Sequence, residues 1–81
     1  MQLLAALPWA KRLDQIRLEC LLEMAFQLGI QGLLQFKATL ELVEVGKYEA
    51  AAAQMLLSRW TQQTPTRAKE LAEMMRTGVA I

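Results

Sequence analysis

The 81 residues allow one domain, because a chain of this length buries only about 60% of the surface its unfolded form exposes and cannot divide that burial between two cores. Hydrophobic residues make up 54% of the chain and Gly and Pro only six positions, which excludes disorder and favours a packed helical domain. The net charge of +1 supplies too little field to draw the chain to nucleic acid or to an anionic membrane.

The apolar opening Met1 to Ala10 is too short to span a bilayer, has no basic residue before it and runs into Lys11 and Arg12. It is therefore read as folded sequence of a soluble protein, with no signal peptide. Pro8 suits the first turn of a short helix over Pro8 to Arg12, where its missing N–H would be unpaired anyway. From Leu13 to Leu28 apolar residues cover nearly the whole helical circumference, with Ile16, Cys20, Leu21, Met24 and Ala25 among them. Such a helix is expected at the centre of the fold, with Asp14 assisting its start and Gly29 ending it in a left-handed conformation. Cys20 is the single cysteine, so no internal disulfide exists, and its leucine neighbours predict a buried thiol.

Between Gly29 and Phe36 there is room for at most one short helical piece over Ile30 to Gln35 in a turn-rich joint. Lys37 to Val45 has the pattern of an amphipathic helix stopped by Gly46, and Tyr48 to Leu57 that of another. Within the latter, the run Ala50 to Ala53 combines high helix propensity with small side chains that admit a close neighbour. The last helix is expected to start with Thr64 as N-cap and Pro65 at its first position, to place Ala68, Leu71, Ala72 and Met75 on one face, and to stop at Gly78. No segment alternates apolar and polar residues, so the expected fold is all-α, a multi-helix lobe around a central buried helix at about Asp14 to Leu28, with no sheet.

Histidine is absent, which removes the usual general base, the Ser-His and Cys-His pairs and the commonest metal ligand. No metal site and no cofactor are expected, since the four glycines form no phosphate-binding pattern. Glu19 with Glu23, Glu41 with Glu44 and Glu70 with Glu73 are spaced to share helical faces, but nothing encloses them to raise a catalytic pKa, so they read as solvated surface. Arg59, Arg67, Lys69 and Arg76 could touch phosphates, yet glutamates interleave with them, which argues against a DNA reader.

The compact polar, aromatic and basic stretch Ser58 to Lys69 remains. Ser58-Arg59-Trp60, Gln63-Thr64-Pro65, Arg67-Ala68-Lys69 and Arg76-Thr77-Gly78, with Leu13-Asp14, Met24, Phe26-Gln27, Gly29, Gly32, Phe36 and Ala50-Ala51, closely resemble the C-terminal helical lobe of T-even bacteriophage lysozyme. The resemblance runs from about Pro8 to Gly78; Met1 to Leu7 would match only the end of the helix that joins that family's two lobes. It implies that one side of the lobe is a wall of the cleft holding the peptidoglycan glycan strand and its peptide stem. The matching wall positions are Phe26, Gln27, Phe36, Thr39, Gln54, Gln63, Thr64 and Arg67. Phe26 and Phe36 also fit a core, Trp60 is read as packing, and Gln63 and Arg67 stand out as ligand candidates.

Departures from the family pattern alter reach while keeping chemical type: Thr39 replaces a serine and Gln54 and Thr66 replace asparagines, while Thr61 replaces a tyrosine. The family's catalytic glutamate, aspartate and threonine belong to an N-terminal lobe with no counterpart here, so no catalytic residue is assigned. The resemblance thus implies a peptidoglycan-binding lobe that does not hydrolyse alone. Two alternatives are the substrate-positioning half of a split muramidase and a helical interaction module that has lost the sugar. Its implied partners are peptidoglycan or a separate catalytic lobe, or further copies of the chain joined through an apolar face along Met1 to Ala6. The expected location is a host bacterial cytoplasm before release to the wall.

Overall fold

Six α-helices and one 3-10 turn follow one another in the computed structural model, which describes residues 2–80, Gln2 by its backbone alone. Helix α1 spans Gln2–Ala6, the 3-10 turn Pro8–Arg12, α2 Gln15–Leu34, α3 Lys37–Glu44, α4 Tyr48–Leu56, α5 Arg59–Gln63 and α6 Pro65–Thr77. Among the described residues there is no strand, and no helix is long and apolar enough to cross a membrane. Met1 and Ile81 lie outside the described residues.

The start of α2 follows from one side chain. Asp14 stands in extended conformation and its carboxylate accepts the backbone N–H of Arg17 at 3.1 Å, pairing a donor that the first helical turn leaves free. Cys20, Leu21 and Met24 are wholly buried, and Ile16, Leu18, Leu22, Ala25 and Leu28 are half-buried around them, which makes α2 the central element foreseen from its apolarity. Phe26 is the exception at 90% exposed, so its reading as a core aromatic is corrected. One face of α2 looks outward at that point and a phenyl ring stands on it.

Gly29 does not end the helix as a left-handed cap. Its φ of 75° is positive, but its ψ of 159° puts it in a region open essentially to glycine alone. No neighbour lies within 4 Å of where its Cβ would stand, so glycine is required by the backbone conformation and not by crowding. The kink redirects the segment from Ile30 to Leu34, which buries Leu33 and forms the short helical piece expected there.

The densest packing lies between α4 and α6, with α3 laid against α4. Ala51, Ala52 and Met55 of α4 and Ala68, Leu71, Ala72 and Met75 of α6 are buried, so the alanine run does admit a close neighbour. Met24, Met55, Met74 and Met75 all belong to the core and none is presented to a partner. Leu3 and Leu7 also fold into this core, and among the described side chains of α1 Ala5 and Ala6 are exposed and Leu4 is half-buried. The predicted apolar N-terminal face is therefore directed largely inward.

Helices α2 and α6 are joined by a polar seam. Arg17 donates to the carbonyls of Met75 at 2.6 Å and Arg76 at 3.0 Å, pairs with Asp14 at 3.0 Å, and lies 3.6 Å above the Tyr48 ring centre. It thus satisfies carbonyl groups that α6 leaves unpaired at its end and ties in the first turn of α4 by a cation–π contact. Gly78 closes α6 in the left-handed conformation, its N–H bonded to the Met74 carbonyl. A Cβ there would meet the Arg17 guanidinium at 2.9 Å, so glycine is required by φ, and any larger residue would also push that side chain aside. Further along the seam the Cys20 thiol donates to the Leu71 carbonyl at 3.2 Å, and burial pushes its pKa up to about 12, with Glu23 adding to the rise.

Candidate functional site

The kinked end of α2, the start of α3, the end of α4 and the whole of α5 surround an open cleft of about 490 Å³. Two aromatic rings form one side of it. Trp60 and Phe36 meet edge to face, ring centres 6.1 Å apart and planes inclined by 79°, a favourable quadrupole arrangement. Trp60 is 5% exposed, in agreement with its reading as packing, and its indole N–H donates to the Gln27 side-chain oxygen at 2.9 Å. That bond joins α5 to α2 and holds Gln27 at the flank of the cleft with its amide N–H groups as remaining donors.

Of the eight wall residues expected from sequence, Phe36, Thr39, Gln54 and Gln63 line this one cleft. They come from α3, α4, α5 and the joint before α3, and only the fold brings them together. Gln27 adjoins it through Trp60, whereas Phe26, Thr64 and Arg67 do not line it. Thr64 occupies the expected position before Pro65 but does not cap α6 with its side chain. Its hydroxyl donates instead to the Trp60 carbonyl at 3.3 Å, because α5 ends where α6 begins and the same residue closes one helix and opens the next. Helix α5 itself had no periodic signal, being a single turn in which only Trp60 is buried.

Arg67 is committed elsewhere. Its Nε and one terminal nitrogen grip both carboxylate oxygens of Glu23, and the other terminal nitrogen donates to Glu70 at 2.8 Å. This fork holds the Glu23 carboxyl below its ordinary range and raises the guanidinium pKa. The pairing also divides two of the acidic couples seen in the sequence: Glu70 turns to Arg67 while Glu73 turns to Arg76, and Glu23 turns to Arg67 while Glu19 accepts from Gln15. Of these carboxylates only Glu23 balances a cation across helices; Glu70 and Glu73 pair within α6, and Glu19 meets an uncharged amide on the exposed face of α2.

Sequence reading missed Gln35 and Lys37 as lining residues, and Arg59 entered only as a phosphate contact. Their position directly around Phe36 and Trp60 was the available signal. The hydroxyls nearby are largely engaged, since Ser58 and Thr61 both donate to the Met55 carbonyl, at 2.7 and 2.9 Å. The cleft therefore offers amides from Gln35, Gln54 and Gln63, cations from Lys37 and Arg59, aromatic surface and no carboxylate. Such a lining can bind and orient a polar ligand but contains no acid to protonate a leaving group.

An all-α lobe built on a buried central helix, with this cleft beside the Ser58 to Lys69 segment, is a lysozyme-like lobe. Over 68 residues, 84% of the chain, it is 40% identical to "Probable T4-type lysozyme 1" of Dictyostelium discoideum, and over 66 residues it is 36% identical to "Probable T4-type lysozyme 2" of the same organism. The chain is T4-lysozyme-like, and it spans 40% and 39% of the length of these two curated relatives. Neither is a phage protein, so the likeness is not confined to phage. No protein-family model matches the chain.

Proposed function

We propose that this chain is a peptidoglycan-binding lobe that positions the glycan strand and its peptide stem without cutting them. The observation that carries this reading is the convergence of Phe36, Thr39, Gln54 and Gln63, from separate elements, on one cleft. An aromatic side and convergent amides suit a sugar or peptide ligand, which presents apolar ring or chain faces and many groups that both donate and accept hydrogen bonds. The cleft lining supplies no general acid. Purified peptidoglycan should retain the chain in a pull-down, and Gln54→Ala with Gln63→Ala should weaken retention. Clearing of a cell-wall suspension by the chain alone would refute the non-hydrolytic part of the proposal.

A second reading is favoured by coverage, because the chain corresponds to about 40% of relatives named as lysozymes. In that reading it is the substrate-positioning part of a muramidase whose catalytic residues lie on sequence outside these 81 residues. Phe26, 90% exposed on the outward face of α2, is the contact such a partner would cover. Adding the non-matching part of such a lysozyme as a separate polypeptide should then restore wall lysis, and Phe26→Ser should reduce that restoration. A helical interaction module that has lost the sugar has less support, since the adaptable side chains Met24, Met55, Met74 and Met75 are all buried and closed to a partner.

A further inference from the structure

Of the nine Lys and Arg, Arg17, Arg67 and Arg76 each grip a carboxylate and the other six form no ion pair among the described residues; of those six, Lys37 and Arg59, both exposed, line the cleft. No Asp or Glu lines the cleft beside them. Lys37 opens α3 and Arg59 opens α5, so their backbones are set by helices on two sides of the cleft. Gln35, Gln54 and Gln63 line the same cleft, and their side-chain amides can each donate to and accept from a peptide group. The neighbouring Phe36 and Trp60 displace water from one side, which strengthens any charge interaction made there.

We infer that the cleft selects an acidic peptide, with Lys37 and Arg59 binding its carboxylates, and so distinguishes peptide stems with free carboxylates from stems in which these are amidated. The inference rests on the wall-binding proposal and specifies its ligand. A carboxylate facing an ammonium or guanidinium makes a charge-assisted hydrogen bond about twice as strong as a neutral one. Amidation removes that charge and replaces one of the two acceptor oxygens with an N–H donor group. An N-acetylglucosamine oligomer, which has neither peptide nor carboxylate, would use only the amides and rings.

Calorimetric titration of the chain with three probes tests this: a disaccharide-peptide with free carboxylates, the same compound amidated, and an N-acetylglucosamine oligomer that carries no carboxylate. The free-acid compound should bind about tenfold more tightly than the amidated one, and the gap should close as salt is raised. In the K37Q/R59Q variant the free-acid compound should lose that advantage, so that the two compounds bind equally. Both side chains are exposed, so folding should be retained, as far-UV circular dichroism will report; the salt dependence of the unaltered chain supplies an independent readout. Equal affinities for the free and amidated compounds would overturn the charge selection and leave wall binding intact. Failure of all three probes to bind would overturn both.

Discussion

The α2–α6 seam and the cleft use the same residue types in opposite ways. At the seam Arg17 reaches two backbone carbonyls, an aspartate and an aromatic ring, and at the α6 start Arg67 forks between two glutamates. At the cleft, among the described residues, Lys37 and Arg59 have no ion-pair partner and Gln54 and Gln63 make no side-chain hydrogen bond. Groups satisfied internally contribute to stability and are closed to a ligand; groups left unsatisfied at a surface contribute little to stability and are open to one. Substitutions at the seam should therefore change folding and leave binding alone, and substitutions in the cleft should do the reverse.

The largest expected effect lies beneath the seam. Leu21 is wholly buried in mid-α2, and Leu21→Ala should cost about 2–5 kcal/mol in a urea melt, a range set in part on leucine substitutions in T4 lysozyme itself. A loss under about 1 kcal/mol would show that the core does not centre on this residue. Next comes the clamp: Arg17→Ala leaves the Met75 and Arg76 carbonyls without their partner and should cost about 1–3 kcal/mol. Gly78→Ala forces a left-handed alanine for about 1–2 kcal/mol and also displaces the Arg17 guanidinium. Because the two changes disturb one contact, the double variant should fall short of their sum by about 0.5 kcal/mol or more, and strict additivity would dissolve the clamp.

Glu23→Gln should have a smaller effect, about 0.2–1 kcal/mol, because the Glu23 and Arg67 side chains are 32% and 40% exposed and solvent screens them. Its pH dependence has a definite sign. The Arg67 hydrogen bonds lower the folded-state pKa of Glu23 from 4.5, so the stabilisation is fully present above pH 4.5 and is lost as pH falls through the lowered value. Acid melts of the two proteins should thus differ at neutral pH and converge as the pH falls through the lowered pKa of Glu23. Convergence on raising the pH instead would contradict the pairing. The smallest stability effect is expected in the cleft, where Gln63→Ala should shift the melt by no more than about 0.5 kcal/mol while reducing retention on peptidoglycan. A large shift in the melt without a change in retention would erase the contrast between the two regions.

The legibility of the fold tracks the strength of local signals. Asp14, Pro65 and Gly78 marked helix ends because each acts through its own backbone or the next turn, and the buried face of α6 was visible in Ala68, Leu71, Ala72 and Met75 because 3.6-residue periodicity records burial directly. Helix α5 was not legible, since a single turn has too few positions to show a period. Phe26 was not legible either, because an apolar side chain on an apolar helix gives no sign of which part of the circumference its neighbours leave uncovered. Half of the expected wall converged on the cleft, and Arg67 did not, because its ion partner Glu23 lies 44 positions away and spacing along the chain carries no information about such a pair.

Taken alone, the sequence determined the helical class, most helix ends, the supply of core residues and the T4-lysozyme-like ancestry, since all of these depend on residue type and near spacing. Tertiary structure decided which polar side chains remain free. Whether a glutamine, lysine or arginine is available to a ligand depends on the groups that other elements bring within about 3 Å of it, and only packing sets those distances. The fold thereby assigned Arg67 and Arg17 to holding helices together and left Lys37, Arg59, Gln54 and Gln63 facing an open cleft.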